Sequence, residues 1–431
     1  MLQIPETNQK RIVIVGGGFA GISLAKSLAH SNYQVVMIDK NNYHQFQPLF
    51  YQVATAGIEP SAILFPLRKL FQRQGNAYLR ITEVTGIDPT AKMVHTRSGD
   101  CHYDYLVVAA GAQTSYFGLK NIEAAAFPMK SVTEALTLRN SILNHLENAL
   151  LEKDKAVQQQ LLNLVIVGGG PTGTEVAGAL AEMKKHIFPK EYRELDTSRI
   201  RIVLIEAAPR LLGGMSPKSS SKSLRYLHKL GVEVYLDTQV NDYTNHEVVL
   251  SNGERIPTRT LIWAAGIKGA SMPGIPAEAI LPNGRIRVDA FHRMAGSDTI
   301  FVVGDHSAMI TDATPKGHPQ VAQVAIQQAR NLARNFIRMQ KHQNLRPFRY
   351  RNPGSLATVG RHLAVADLPG ITFFGFFAWY VWMFVHLMAI LGVKNRLFVF
   401  LNWLWSYITF DQSLRLIIHR DDGHKLNGEL T

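Results

Sequence analysis

"VIVGGGPTGTEVAG", Val165–Gly178, decides the fold. A β-branched apolar run enters three glycines and a helical pattern leaves them. Gly168, Gly170 and Gly173 have the spacing G-x-G-x-x-G. In that pattern the first glycine permits a tight turn and the second lets the backbone approach a pyrophosphate. The third allows close helix–strand packing. The helix start offers unpaired N–H groups and partial positive charge to phosphates. Glu206 ends the following strand, "RIRIVLIEAA", where a carboxylate accepts hydrogen bonds from a ribose. A carboxylate there welcomes a 2′-hydroxyl and repels a 2′-phosphate, so NADH is expected over NADPH.

The chain carries this unit twice. "RIVIVGGGFAG", Arg11–Gly21, has Gly16, Gly18 and Gly21 at the same spacing, and Asp39 ends the next strand, "YQVVMIDK". The second copy is longer because "MKKHIFPKEYRELDTS", Met183–Ser198, precedes its second strand. Two such units imply two dinucleotides and electron traffic between them. A nicotinamide moves hydride, whereas a flavin accepts hydride and releases electrons singly or in pairs. Strand-then-glycine patterns recur at "DYLVVAAG", "TLIWAAG" and "TIFVVGD". The expected fold class is α/β, with two Rossmann-type, three-layer dinucleotide-binding domains and a C-terminal amphipathic membrane-binding helical segment. The boundaries follow as 1–118 and 281–350 for the domain of the first unit, 119–280 for the domain of the second, and 351–431 for the C-terminal segment.

Composition narrows the classes. The 431 residues suit about three domains at roughly 150 residues each. With 46% hydrophobic and 18% charged residues, the chain can build a large core. The single cysteine, Cys101, excludes a disulfide framework, cysteine-rich metal sites and a two-cysteine redox couple, and reads as a structural thiol. No metal is implied. The net charge of +13 fits nucleic acid or an anionic membrane. Zinc-finger, RRM and basic-zipper patterns are absent, so nucleic acid is not expected. The polar start "MLQIPETNQKR" does not read as a signal peptide.

Glu175, two residues past Gly173, has two readings. It is either a first-turn acid favoured by the helix dipole or a polar anchor beside the nicotinamide.

These motifs resemble the two-dinucleotide-binding-domain flavoproteins, and among them the type II NADH dehydrogenases (NADH:quinone oxidoreductases). The similarity runs through "GGGFAG", "NNYHQFQPLFYQVATAGIEP", "VVAAG", "GGGPTGTEVAGALAE", "WAAGI", "VVGD", "AQVAIQ" and "GVKNRLFVFLNWLWSYITF". The resemblance implies bound FAD in the first unit, held by Gly16, Gly18, Phe19, Ala20 and Gly21. Asp39 and Lys40 would meet the adenosine ribose, Val84 the adenine, Gly111 the phosphates and Asp305 the ribityl chain. Ala322 and Gln323 would lie at the isoalloxazine, and Lys394 would close the site. NADH would meet Gly168, Gly170, Gly173, Glu206 and Gly266, with Glu175 as the acid beside the nicotinamide. Gln323 and Gln327, four apart on a helix, would share a face and serve a membrane quinone. A homodimer is also implied. The lone Cys101 separates the chain from disulfide reductases and sulfide:quinone oxidoreductases.

A quinone is a lipid, and the C-terminus is suited to one. Residues 371–393 carry no Asp, Glu, Lys or Arg and are long enough, as a helix, to span about 30 Å. The next run, Leu397–Phe410, is too short to cross. On that helix Asn395, Asn402, Ser406 and Thr409 would oppose Leu397, Leu401, Leu404 and Ile408. That pattern favours helices lying in the interface over a single span. Arg346, Arg349, Arg351, Lys394 and Arg396 would add attraction to anionic lipid. The expected protein is a peripheral, non-pumping NADH:quinone oxidoreductase on the cytoplasmic face of a bacterial inner membrane. A redox-sensing flavoprotein with slow turnover is the alternative of another class, and a reductase for ferredoxin-like proteins is the alternative within enzymes.

Overall fold

A computed structural model describes residues 1–409 and 414–417. Parts of the expected C-terminal segment, 410–413 and 418–431, lie outside the described residues.

Each glycine unit sits in a five-stranded parallel sheet. In the first sheet the strand Lys10–Val15 lies between Tyr33–Asp39 and Tyr105–Val108, with Ala77–Ile81 and Ile300–Val302 at the edges. In the second, Asn163–Val167 lies between Arg201–Ile205 and Thr260–Trp263, with Glu233–Tyr235 and Phe127–Pro128 at the edges. The central strands read as unbroken apolar runs because both faces are covered, by helices on one face and by three-stranded antiparallel sheets, within 84–102 and 240–257, on the other. Ile12, Val13 and Ile14 are fully buried, as are Val165 and Ile166. The chain leaves the first unit along Ala112–Thr114 and returns along Ile267–Gly269, and these two strands pair antiparallel.

The C-terminal segment differs from the expected helix pair in one respect. Ile371–Phe374 is a strand, the edge of an antiparallel sheet with Ser355–Gly360 and Leu363–Leu368. Phe373 pairs with Ala366 and Phe374 with Val365. The expected helix over 371–393 is therefore corrected to Phe376–Ala389, which starts after Gly375 at φ 74°. At 14 residues it reaches about 21 Å, short of a hydrocarbon core. A 17-residue helix, Val393–Thr409, follows. Among the described residues no helix is long and apolar enough to cross a membrane.

The two aromatic helices pack side by side, Trp382 against Trp403 and Trp379 against Tyr407. The turn between them docks on the first unit, where Asn395 donates to the Leu64 carbonyl at 2.7 Å. Trp382, Val399 and Trp403 face the core, while Phe377, Phe384, Leu397, Leu401, Trp405 and Ile408 are exposed. This is the predicted division of Val393–Thr409, with its leucine stripe outward.

Candidate active site

The two glycine turns are built alike. Gly16 has φ 110° and Gly168 φ 107°, values that only glycine adopts without strain. A Cβ on Gly21 would overlap the carbonyl of Gly16, and one on Gly173 that of Gly168. Asp39 Oδ2 accepts from the Gly17 amide and Glu206 Oε2 from the Gly169 amide, each at 2.5 Å. Their second oxygens accept from Asn41 and Ala208, each at 2.7 Å. Both acids thus brace their own loop, a duty that the ribose reading did not include. Burial raises the Asp39 carboxyl above its ordinary range, opposed by the amides of Gly17 and Asn41.

Both loops lead into helices with bare starts. Phe19–Ser27 and Pro171–His186 have Gly18 and Gly170 as N-caps, without side-chain bonds. No atom lies within 4 Å of the Cβ position at either glycine. Three other helices are capped: Ser131, Asp154 and Ser216 each accept from their helix's first turn. Unpaired amides beside open space are what a pyrophosphate needs.

Ala20, in the first turn of the first glycine helix, meets two further elements. Gly304 approaches Ala20 and Ala325, so the "VVGD" turn, the first glycine helix and Ala322–Gln340 converge. The Gly304 amide donates to buried Gln328 at 2.7 Å, a contact sequence reasoning missed. Burial raises the Asp305 carboxyl, with Lys130 and Arg285 opposing. Gly111 has φ 72° and open space at its Cβ position. Phe19 meets His44 and Phe46 edge-on. Lys40 is exposed and Val84 half-buried on its strand. Lys394 is exposed, with Nζ 5.5 Å from the Phe398 ring centroid.

The glutamines part company. Gln323 is exposed near the start of the helix Ala322–Gln340, whose N-cap Val321 provides no side-chain bond. Gln327 is bonded both ways to the backbone of Arg351, donating to its carbonyl at 2.9 Å and accepting from its amide at 3.1 Å. Spacing put both on one face, but Gln327 is used to tie down the basic connection.

Glu175 lies on the side of its helix facing the C-terminal sheet. It is buried and accepts weakly from the Thr358 amide at 3.4 Å. Burial raises its pKa to about 8, against the pull of Thr358 and the Trp382 indole. It lines a cavity of about 580 Å³ together with Tyr51, Glu182, Trp382, Trp403 and Tyr407. The block "NNYHQFQPLFYQVATAGIEP" forms one wall. There Gln52 donates to the Tyr51 hydroxyl and accepts from Trp403 Nε1, each at 2.8 Å. At Gly266 the space a side chain would take is filled by the Phe117 ring, itself 67% exposed at φ 53°. Phe117 was missed as well, since nothing local marks an aromatic that covers a distant glycine.

Comparison with known proteins agrees with this architecture. Residues 10–329 match the pyridine nucleotide-disulphide oxidoreductase family, and residues 353–409 match the NDH2 C-terminal domain. The disulfide in the former name has no counterpart here, because Cys101 is the sole cysteine. Two type II NADH:quinone oxidoreductases of Mycobacterium tuberculosis are 37% and 35% identical, over 92% and 93% of this chain and 87% and 88% of theirs. The fold superposes on NDH2 from Plasmodium falciparum with a TM-score of 0.87, at 22% identity over 96% of this chain and all of that one. It also resembles the sulfide:quinone oxidoreductase of Aquifex aeolicus, with a TM-score of 0.68 at 20% identity over 95% and 96%. The chain belongs to the type II NADH:quinone oxidoreductase family.

Proposed function

We propose that the chain oxidises NADH and reduces a membrane quinone through bound FAD, lying on the membrane without pumping protons. The observation that carries this reading is the joining of two bare glycine-helix starts to an exposed apolar helical hairpin in one chain. FAD, when bound, supplies the capacity to take hydride from NADH and give two electrons to quinone.

The residues divide the work. Open Gly18 and the uncapped amides after it receive the FAD pyrophosphate, Asp39 and Lys40 the ribose, Val84 the adenine and Asp305 the ribityl chain. Gly111, Ala322 and Gln323 border the ring system, with Lys394 at its edge. The bare start of the helix Ala322–Gln340 brings positive potential toward the ring. Gly168, Gly170, Gly173 and Glu206 receive NADH, and Phe117 shifts from Gly266 as the nucleotide enters. Gln323 faces the quinone, whereas Gln327 supports it through Arg351. The domain division 1–118 with 281–350, 119–280 and 351–431 follows from this assignment. Phe377, Phe384, Leu397, Leu401 and Trp405 enter the interface at the cytoplasmic face, and a homodimer uses part of the same apolar surface.

Steady-state and stopped-flow kinetics on the flavoprotein test the reading. NADH should bleach the flavin quickly, and a soluble quinone should restore it. Gln323→Ala should slow restoration and raise the quinone KM while leaving bleaching intact. A rate of NADH oxidation unchanged by quinone would favour the redox sensor. Replacing Phe384, Leu401 and Trp405 with Gln should release the protein from vesicles, and retained binding would refute the anchoring role.

A further inference from the structure

The connection that leaves the first unit carries a residue out of place. Ser115 is pinned twice. Its amide donates to the Gly266 carbonyl at 3.0 Å, and its carbonyl accepts from Trp263 Nε1 at 2.8 Å. The next four residues close a turn, with the Leu119 amide donating to the Tyr116 carbonyl at 2.9 Å. The two central residues, Phe117 and Gly118, have φ 53° and 84°. A turn with positive φ at both central places favours asparagine, aspartate or glycine at the first. A bulky phenylalanine there is strained. Little packing offsets the strain, since Tyr116 and Leu119 lie against the core of the second unit while Phe117 is 67% exposed. The tip of its ring covers Gly266, and its centroid is 6.4 Å from that of Trp263. Gly266 lies two residues past Ala264, whose carbonyl abuts Gly168, the first glycine of the second loop. The ring therefore stands beside that loop, over one of its glycine neighbours.

Resting on the function proposed above, we propose that Phe117 is a plug for the NADH site. It competes with NADH and NAD⁺ alike for the space over Gly266, and so hinders the product from rebinding while quinone takes the electrons. Two groups cannot fill one space, so a nucleotide that reaches Gly266 needs the ring lifted. Lifting it is easy, because most of the ring already faces water. Rotation about χ1 leaves Ser115, Tyr116 and Leu119 in place, and relaxing the turn relieves the backbone. The two arrangements are thus close in free energy, and the plug slows association without sealing the site. Such a plug has a definite signature. It scales the association rate of each nucleotide by the fraction of time the ring is lifted, and it leaves dissociation alone. NADH and NAD⁺ are affected by the same factor, since the plug acts before either is bound. A ring stacked on the bound nicotinamide would instead tell the two apart, because the oxidised nicotinamide is a cation and the reduced one is neutral.

Phe117→Ala removes the ring. In the oxidised, FAD-loaded protein, NAD⁺ binds without chemistry, and tryptophan emission follows it because Trp263 neighbours the ring. The Kd for NAD⁺ should fall about fivefold in Phe117→Ala, through faster association at an unchanged dissociation rate. Stopped-flow bleaching of the flavin reports NADH. Its second-order rate at low NADH should rise by the same factor, while the limiting rate at saturation holds. Phe117→Gly, which also relieves the turn, should match Phe117→Ala. Phe117→Tyr, which keeps the ring, should restore the parent values. A weaker Kd for NAD⁺ in Phe117→Ala overturns the proposal, because the ring would then be a contact of the bound nucleotide. So do an unchanged Kd and bleaching rate, a change confined to one nucleotide, or a gain that comes from slower dissociation. Failure of NADH to bleach the parent protein would refute the underlying function instead.

Discussion

The two glycine units are near-copies at the loop and diverge behind it. At the loop they share the left-handed first glycine, the third glycine against the first one's carbonyl, and a carboxylate on the middle amide at the same distance. Two residues past the third glycine, the first unit has Ser23 and the second Glu175. Five residues past it, the first has exposed Lys26, whereas the second has Gly178 pressed on the Val359 carbonyl. The first helix packs toward Ala322–Gln340, and the second lies against the C-terminal sheet and closes the Glu175 cavity. The loop is fixed by backbone geometry and therefore repeats. The helix flank answers to whatever packs on it and therefore differs between the two units.

The strongest way to break the comparison is at the shared glycine. Gly21→Ala should yield protein without bound flavin, seen as loss of the visible absorbance on purification. Gly173→Ala should keep the flavin but slow its bleaching by NADH about a hundredfold or more, about 3 kcal/mol. If each variant affects both cofactors alike, the units are not independent cradles. Next in size is the flank. Gly178→Ala places a methyl on the Val359 carbonyl and should cost about 3 kcal/mol, read as a lowered Tm. Lys26→Ala, its counterpart in the first unit, should leave Tm nearly unchanged. Equal effects would mean that the C-terminal sheet does not depend on the close approach.

What was legible in the sequence follows the same division. The glycine turns, Asp39 and Glu206 were readable because local backbone geometry admits few residues at those places. The outward leucines of Val393–Thr409 were readable from periodicity. The strand Ile371–Phe374 was not, because hydropathy alone does not separate an apolar edge strand from the start of an apolar helix. The signals present were the alternation in "SLATVGRHLAVADL" and the Pro369–Gly370 turn before it. Gln327 misled because helical spacing gives a face and says nothing of a backbone 24 positions later that will claim the amide. Glu182 and Tyr51 went unread for the same reason, since only packing puts them in one cavity with Glu175.

The flank difference should also appear as pH dependence. In the folded chain Glu175 titrates near 8, above its ordinary value of 4.5, because burial penalises the charge. Between those values the unfolded chain has released this proton and the folded chain has kept it. Stability therefore falls as pH rises from about 4.5 to about 8, then levels off. Glu175→Gln removes the term, so its Tm should match the parent near pH 5 and exceed it progressively up to pH 8. Ser23→Ala should track the parent throughout. A Tm difference for Glu175→Gln that does not grow with pH would mean that the acid is ionised in the fold.

The smallest effect sharpens the resemblance between the loops. Glu206 braces Gly169 and Ala208, and in the proposed NADH site its charge also faces the place where a 2′-phosphate would sit. Glu206→Gln keeps an oxygen for the Gly169 amide but sets an NH₂ against that of Ala208, so NADH use should weaken a few-fold. NADPH use should improve through lost repulsion, and the ratio of kcat/KM between the cofactors should narrow by about tenfold. Asp39→Asn makes the same change in the first unit and should alter flavin retention while leaving that ratio alone. If the ratio is unmoved by Glu206→Gln while both cofactors lose activity together, the carboxylate serves only as a brace. The selection of NADH would then have to come from elsewhere in the second unit.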